Sequence, residues 1–231
     1  MTPACNLCGS TEFREMNGRP NAYCAECGSY ERTRVMKLAL DRLGVSPGAA
    51  VLHLAPERGL SEWLRARARC YVAADIDPAA YAHIADILRI DLCNPKALEG
   101  LGPFDFIIHN HVIEHVPCNW TAVMLRLHRR LKPGGFHVFS LPIYGAAYEE
   151  DLSALSGEAR AKRFGQFDHC RRFSPVDLQA TLGAVFRLPE TYDLVRDFGE
   201  GALRAANIPE AAWRGYSGHS DFVIARNEAL L

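Results

Sequence analysis

The sequence of 231 residues lacks a long hydrophobic run, an excess of one charge and a signal-like start. No stretch reaches the roughly 18 apolar residues needed to span a bilayer, and residues 1–10 have neither the basic start nor the apolar run of a signal peptide. Lys and Arg number 26 against 27 Asp and Glu, so the broad positive field of a nucleic-acid binder is missing. These absences predict a cytoplasmic protein with no membrane partner, and they disfavour nucleic acid as a partner.

The composition is that of an ordinary folded protein. Apolar residues make up 48% of the chain and charged residues 23%, which argues against disorder and against a coiled coil. The length exceeds the needs of one minimal domain but is too short for two large ones. We therefore expect one main domain with a small appendage.

Four of the eight cysteines form two Cys-x-x-Cys pairs near the start of the chain. Cys5 and Cys8 are separated from Cys24 and Cys27 by 15 residues, a spacing typical of a four-thiolate zinc site. Residues 1–30 contain too few apolar side chains to fold alone, so a bound metal would supply their folding energy. The alternative is four unrelated cysteines. The spacing predicts a closed, structural zinc module without a catalytic role.

The spacing of apolar residues changes near residue 45. Apolar residues recur at helical spacing over 31–44 and Gly44 supplies a stop, which predicts a connecting helix. From residue 45 onward, short apolar runs alternate with helical stretches, a pattern typical of a parallel sheet covered by helices on both faces. The predicted strands are 50–54, 71–74, 104–108 and 136–141, and the predicted helices are 59–69, 78–85, 119–131 and 175–182.

Two segments depart from this alternation. Residues 144–173 form a long insertion after a predicted strand, and such insertions are more often functional than decorative. Near the end of the chain, residues 186–195 and 219–225 are further strand candidates. We expect this last pair to form an antiparallel hairpin at the edge of the sheet.

Five markers follow one another along the second part of the chain. They are the run Val51–Gly59, Asp75, Asp91, the run Phe104–Val116, and the run Leu131–Gly135. Their order and spacing resemble those of the class I S-adenosylmethionine (SAM) dependent methyltransferases over residues 45–231. The resemblance implies an α/β fold, with a Rossmann-like sheet of seven strands beside the small N-terminal zinc module, and the cofactor SAM.

The resemblance also implies a set of cofactor-binding residues at the carboxyl ends of the strands. Asp75 would accept hydrogen bonds from the ribose; the alternative is a helix cap, for which Asp77 is better placed. Asp91 would lie beside the adenine, or else form a turn before Asn94. The implied cofactor-binding residues are His53, Ala55, Glu57, Gly59, Asp75, Ile76, Asp91, Leu92, Asn110 and His111.

The first loop departs from the family pattern. Where two glycines normally let the backbone approach the cofactor, this chain has Ala55 and Glu57, and Pro56 removes a backbone donor. Only Gly59 keeps the pattern. Glu57 is favoured near a helix start by the helix dipole and could bond the ribose or the ammonium group of the cofactor.

Three histidines are candidates for a base that accepts a proton from the methyl acceptor: His111, His115 and His169. We interpret His115 as structural and prefer His169, which lies in the insertion. Asp168 precedes it, and adjacent residues of an extended segment point to opposite sides, so Asp168 is not expected to orient His169 directly. The catalytic candidates are His169, Asp168 and His111.

Acceptor contacts are expected from the same insertion. Arg171 or Arg172 could clamp a carboxylate or phosphate on the acceptor, the alternative being a solvated surface pair. Tyr144 and Tyr148 could line the acceptor pocket, or serve as ordinary packing residues. All four are predicted substrate-binding residues.

Three functions are compatible with these observations. The first is a SAM-dependent methyltransferase with a structural zinc site that acts on a small molecule, either a metabolite or a natural product. The second is an RNA methyltransferase that uses the zinc module to recognise its substrate; the net charge of −1 disfavours it. The third is a non-enzymatic interaction module. The pattern does not predict the acceptor atom or the oligomeric state.

Overall fold

Two cysteine turns and a short hairpin begin the fold in the computed structural model, which describes residues 2–231. Strand β1 (Phe13–Met16) pairs antiparallel with β2 (Arg19–Cys24). Helix α1 (Glu31–Leu43) follows within the predicted range and ends at Gly44, whose left-handed backbone lets its N–H bond the carbonyls of the last turn. Residue 1 of the predicted module lies outside the described residues.

A six-stranded sheet forms the centre of the described chain. The remaining strands, in chain order, are β3 (Ala50–Leu54), β4 (Cys70–Asp75), β5 (Ile87–Arg89), β6 (Phe104–Asn110), β7 (Leu131–Ser140), β8 (Glu149–Glu150), β9 (Arg171–Arg172) and β10 (Asp221–Ala225). The central sheet has the order β10-β7-β6-β3-β4-β5, and only β10 runs antiparallel to its neighbour. Strands β8 and β9 pair with each other inside the insertion.

Alternate residues of the central strands point into two separate apolar layers. Val51 and Ile108 pack with helix α1 on one face, while Leu52 and Ile107 pack on the other face. Both layers exclude water, so β3 and β6 bury side chains on both faces. This confirms the predicted α/β sheet with two covered faces.

The helices are shorter than the sequence predicts. They are α2 (Arg58–Arg65), α3 (Trp120–His128), α4 (Gly157–Phe164), α5 (Leu194–Phe198) and α6 (Glu200–Ala205). The predicted helix 78–85 is only a 3-10 turn at Pro78–Ala80. The predicted helix 175–182 does not form: the Asp177 carboxylate accepts the Tyr148 N–H (2.7 Å) instead of capping a helix. Among residues 2–231, no helix combines the length and hydrophobicity that crossing a bilayer requires.

The predicted edge hairpin is wrong, and a seventh strand is not confirmed. Over 186–195 the structure shows only isolated bridges, at Phe186 and Asp193. The Asp193 carboxylate accepts two backbone N–H groups at the start of α5, so the chain enters a helix where a strand is expected. Strand β10 instead pairs with β7, in register Val223 to Val138.

Candidate functional site

Two adjoining cavities open at the carboxyl ends of the parallel strands. The first, about 300 Å³, lies beyond β3, β4 and β6, and the second, about 560 Å³, extends toward α1 and the insertion. Four residues line both cavities: Ala55, Tyr81, His111 and His115. Together they form one cleft at the edge where ligands of open α/β sheets bind.

Asp75 lies at the end of β4 and lines the first cavity. Its two carboxylate oxygens accept hydrogen bonds from the Asp77 N–H (2.8 Å) and the Tyr81 hydroxyl (3.0 Å). The alternative role of helix cap falls to Asp77, which accepts the Ala79 N–H at the Pro78 turn. The Asp75 carboxylate is thus held in a fixed position, with acceptor capacity left for a ligand.

The lining of the first cavity also includes apolar groups and a second acidic group. Ile76 is 56% exposed and Leu92 is half-buried, and both line the cavity. Asp91 also lines it, while one of its oxygens accepts the Cys93 N–H (2.9 Å). Asp91 therefore forms the turn that the sequence allows and also faces the cavity.

Two of the predicted cofactor-binding residues, His53 and Gly59, line neither cavity. His53 is fully buried inside β3 beside the Tyr71 hydroxyl (2.9 Å), and burial lowers its pKa to about 3. Gly59 donates its N–H to the Cys27 carbonyl (3.1 Å), and a Cβ there would lie 2.8 Å from the Cys27 sulfur. The retained glycine serves close packing against a cysteine turn.

Ala55 carries the unusual backbone that the family pattern assigns to glycine. Its φ of 48° lies in the left-handed region, which costs a residue with a Cβ roughly 1–2 kcal/mol. Its N–H donates to the Ala74 carbonyl (3.0 Å), and the residue lines both cavities. Strain of this kind clusters at functional sites.

Glu57 joins three elements at the second cavity. Its carboxylate accepts bonds from Arg32 (3.0 Å) and Thr33 (2.8 Å) of α1 and from the Asn110 amide (2.8 Å) at the end of β6. Glu57, Asn110 and Arg32 all line this cavity. The contribution of α1 was not predicted, because the partners lie more than 20 residues apart.

Four side chains meet where the cavities join, and we call them the His-Glu cluster: His111, Glu114, His115 and His169. One ring nitrogen of each histidine lies within hydrogen-bond distance of an oxygen. His111 Nε2 lies 3.1 Å from the Gly218 carbonyl, and His115 Nδ1 lies 3.0 Å from the Asp168 carboxylate. His169 Nδ1 lies 3.0 Å from the Phe164 carbonyl. Carbonyl and carboxylate oxygens accept hydrogen bonds, so these nitrogens carry the hydrogens. The other ring nitrogens are left with lone pairs.

Burial dominates the electrostatics of the His-Glu cluster. It lowers the pKa of His111 well below its usual value, lowers that of His115, and lowers that of His169 to about 4. The imidazoles are therefore neutral at neutral pH. Glu114 is completely buried, which raises its pKa to about 8. Within residues 2–231, neither of its carboxyl oxygens has a hydrogen-bond partner.

The insertion brings Asp168 and His169 to the cleft through the β8–β9 pair and α4. As expected, Asp168 does not orient His169; it pairs with His115 instead. The sequence reasoning treated His115 as structural and overlooked Glu114. The pairing of Asp168 with His115 could not be read from a local pattern, since the two residues lie 53 positions apart.

The four predicted substrate-binding residues, Tyr144, Tyr148, Arg171 and Arg172, line neither cavity and bond to other parts of the protein. Arg171 is fully buried and binds Glu150 (2.7 Å) and the carbonyls of residues 113 and 118. Arg172 pairs with Glu149 across the β8–β9 ladder. The hydroxyl groups of Tyr144 and Tyr148 bond the Phe164 carbonyl and Glu150, within the insertion.

The four N-terminal cysteines converge on one point. Their sulfur atoms lie within 4.8 Å of one another, with Cys5 3.5 Å from Cys27 and Cys8 3.6 Å from Cys24. Four thiolates at about 2.3 Å from a tetrahedral zinc ion would be about 3.8 Å apart. The donor set and its spacing thus fit a zinc ion.

Comparison with known proteins gives a family and a fold. Residues 29–185 match a family model described as a methyltransferase domain. No curated protein sequence matches the chain. One similar solved structure is 1,6-didemethyltoxoflavin-N1-methyltransferase of Burkholderia thailandensis, with bound 1,6-didemethyltoxoflavin and S-adenosylhomocysteine. It is 17% identical to this chain, with a TM-score of 0.52. The match covers 84% of this chain and 76% of that one.

Two further solved structures are similar to the chain. A chain from the complex between the Haloferax volcanii Trm112 methyltransferase activator and the putative methyltransferase is 15% identical, with a TM-score of 0.52 and coverage of 84% and 89%. The N-methyltransferase NodS from Bradyrhizobium japonicum, bound to S-adenosylhomocysteine, is 15% identical, with a TM-score of 0.46 and coverage of 84% and 85%.

Proposed function

Because this chain belongs to the methyltransferase domain family, we propose that it is a SAM-dependent methyltransferase whose acceptor is a small molecule held in the second cavity. The observation that carries the proposal is the His-Glu cluster at the junction of two adjoining cavities. The second cavity has about 560 Å³, a volume typical of small-molecule sites.

We assign the cofactor to the first cavity. Asp75 would accept hydrogen bonds from the ribose hydroxyls, while Ile76 and Leu92 would pack on the adenine, with Asp91 at its edge. The methionine part would then run along Ala55 toward the second cavity. Glu57, Asn110 and His111 complete the proposed cofactor contacts from that side.

Methyl transfer requires the protein to align the acceptor with the methyl group and requires no covalent intermediate with a protein side chain. A lone pair of the acceptor forms a bond with the methyl carbon while the carbon–sulfur pair returns to sulfur, and the acceptor releases its proton. His115 and His169 would face the acceptor with their Nε2 atoms, because their Nδ1 atoms are bonded to Asp168 and Phe164. His169 as base or orienting group stays a prediction, now shared with His115, for the chain with no metal ion bound to these two rings.

The RNA alternative is not favoured. Both arginines that line the second cavity are paired with carboxylates, Arg19 with Glu31 and Arg32 with Glu57. These cations are therefore not free to bind phosphates. The solved Burkholderia relative, whose bound 1,6-didemethyltoxoflavin is a small molecule, agrees with the proposal.

We also propose that Cys5, Cys8, Cys24 and Cys27 bind a structural zinc ion. The convergence of four sulfurs around one point supports this, as does their pairing distance. All four positions of a tetrahedral ion would be filled by protein ligands, so this metal would not take part in methyl transfer.

Calorimetric titration with SAM and S-adenosylhomocysteine tests the cofactor assignment. Asp75→Ala should weaken binding by about 1.5–3 kcal/mol, the range for hydrogen bonds to a charged group. Asp86→Ala, at an exposed position outside both cavities, is the matched control and should bind like the parent. Equal binding by the Asp75 variant and the parent would contradict the ribose contact.

A further inference from the structure

Glu114 is a buried carboxyl group without a partner. It is fully shielded from solvent, and both oxygens lack a hydrogen bond among the residues that the structure describes. His111 Nδ1 lies 3.4 Å from one of these oxygens. Burying an unpaired carboxyl group is costly, so a native protein keeps one only where something compensates it.

The neighbouring histidines cannot supply the missing donors. Each of the three rings already directs a hydrogen outward, to Gly218, Asp168 or the Phe164 carbonyl. Their remaining nitrogens carry lone pairs, which cannot donate a hydrogen bond to either Glu114 oxygen. In the described part of the chain, the two arginines that act on Glu114 from a distance, Arg32 and Arg171, are paired with other carboxylates.

We propose that Glu114, His115 and His169 bind a divalent first-row transition metal ion. One ligand atom of each residue lies within 4.8 Å of the other two, which is close enough to share an ion. Two imidazoles and one carboxylate are ligands typical of such metals when some coordination positions stay open. All three residues line the second cavity, so the open positions face it. His111 stands beside the ion as a further neighbour of Glu114.

The outer contacts match those of metal-binding histidines. Such histidines donate their second nitrogen to a carboxylate or to a backbone carbonyl, which fixes the ring and its tautomer. Asp168 does this for His115 and the Phe164 carbonyl for His169. The surrounding charges also suit a cation: Arg32 and Arg171 are paired with Glu57 and Glu150.

Metal binding itself stands apart from methyl transfer, but the role of the ion rests on the proposed function. A metal with open positions facing the acceptor cavity takes oxygen ligands, and it lowers the pKa of a bound hydroxyl group. The acceptor would therefore carry a hydroxyl or phenol oxygen that binds the ion.

The test uses the full-length, zinc-loaded chain. Mn²⁺ binding is titrated and followed by electron paramagnetic resonance. Co²⁺ binding is titrated and followed by visible absorption, because the Co²⁺ spectrum distinguishes nitrogen and oxygen ligands from thiolates. The parent should bind one ion per chain without a sulfur–cobalt band. Asp168→Asn, at an outer contact, should weaken binding by about 10–100-fold. Glu114→Gln should weaken it more.

His83→Gln is the matched control, because His83 lines the second cavity outside the cluster, and it should bind like the parent. Thermal unfolding of every variant shows whether it is folded; if Glu114→Gln does not fold, Asp168→Asn decides. A parent chain that binds neither ion would overturn the proposal, and so would unchanged binding in the folded variants. S-adenosylhomocysteine binding on the same samples separates this failure from failure of the proposed function.

Discussion

The N-terminal cysteine module and the central sheet are held together by different forces. In residues 2–30 the buried apolar side chains are Cys5, Ala22, Cys24 and Cys27. The central sheet instead buries two continuous apolar layers. A segment whose core consists of the proposed zinc ligands would depend on its metal, whereas apolar layers stabilise themselves. The two regions should therefore respond differently to loss of metal, to pH and to overpacking.

Removal of the zinc ion should have the largest effect. Cys24→Ser should lose one equivalent of zinc and unfold residues 2–30, because structural zinc sites contribute roughly 10–16 kcal/mol of apparent binding free energy. The sheet should stay folded on its own core. Metal analysis and hydrogen exchange measure the two effects. Cys70→Ser, at an exposed cysteine outside the cluster, is the control. An ordered module in the metal-free protein would contradict the prediction.

The second prediction concerns the sheet alone. Burial raises the pKa of Asp221 to about 6, although the Tyr192 hydroxyl donates to it (2.8 Å) and opposes the shift. Between about pH 4 and 6 the folded state therefore binds more protons than the unfolded state, so this group reduces stability as pH rises. The cost at pH 7.5 is about 3 kcal/mol or less.

Asp221→Asn removes this titration. Relative to the parent, the variant should gain stability as pH is raised from 4 to 7.5, which urea unfolding at several pH values measures. Asp105→Asn offers a contrast, because the Lys132 ion pair and the Ala50 N–H hold the pKa of that carboxyl below its usual value. Replacing the Asp105 carboxylate should instead destabilise the protein most at neutral pH, where that carboxylate is ionised. A pH-independent difference for Asp221→Asn would count against the prediction.

The smallest effect is expected where the two regions touch. Gly59→Ala places a methyl group 2.8 Å from the Cys27 sulfur and should cost about 1–3 kcal/mol through overpacking. The zinc site should weaken while cofactor affinity changes little, because Gly59 lines neither cavity. Gly201→Ala, with open space around it, is the control. Lower affinity for S-adenosylhomocysteine with an intact zinc site would restore Gly59 to the cofactor loop.

The sequence predicted well wherever a local pattern carries the information. The strand 50–54 and the sheet's two covered faces follow from apolar periodicity, and the meeting of Cys5 with Cys27 follows from a turn-based spacing. The predicted helix 78–85 is wrong because helix propensity carries no information about tertiary hydrogen bonds. Here the Tyr81 hydroxyl donates to the Asp75 carboxylate across the turn.

The sequence by itself determined the α/β architecture, the order of the site-bearing loops and the four-cysteine spacing, because each follows from neighbouring residues in the chain. Tertiary structure alone decided that Asp168 pairs with His115, that Arg32 of α1 bonds Glu57, and that the buried Glu114 faces histidine lone pairs. These contacts join residues up to 55 positions apart or depend on complete burial. Folding selects them through packing of the whole sheet and its insertion, and no local pattern encodes that packing.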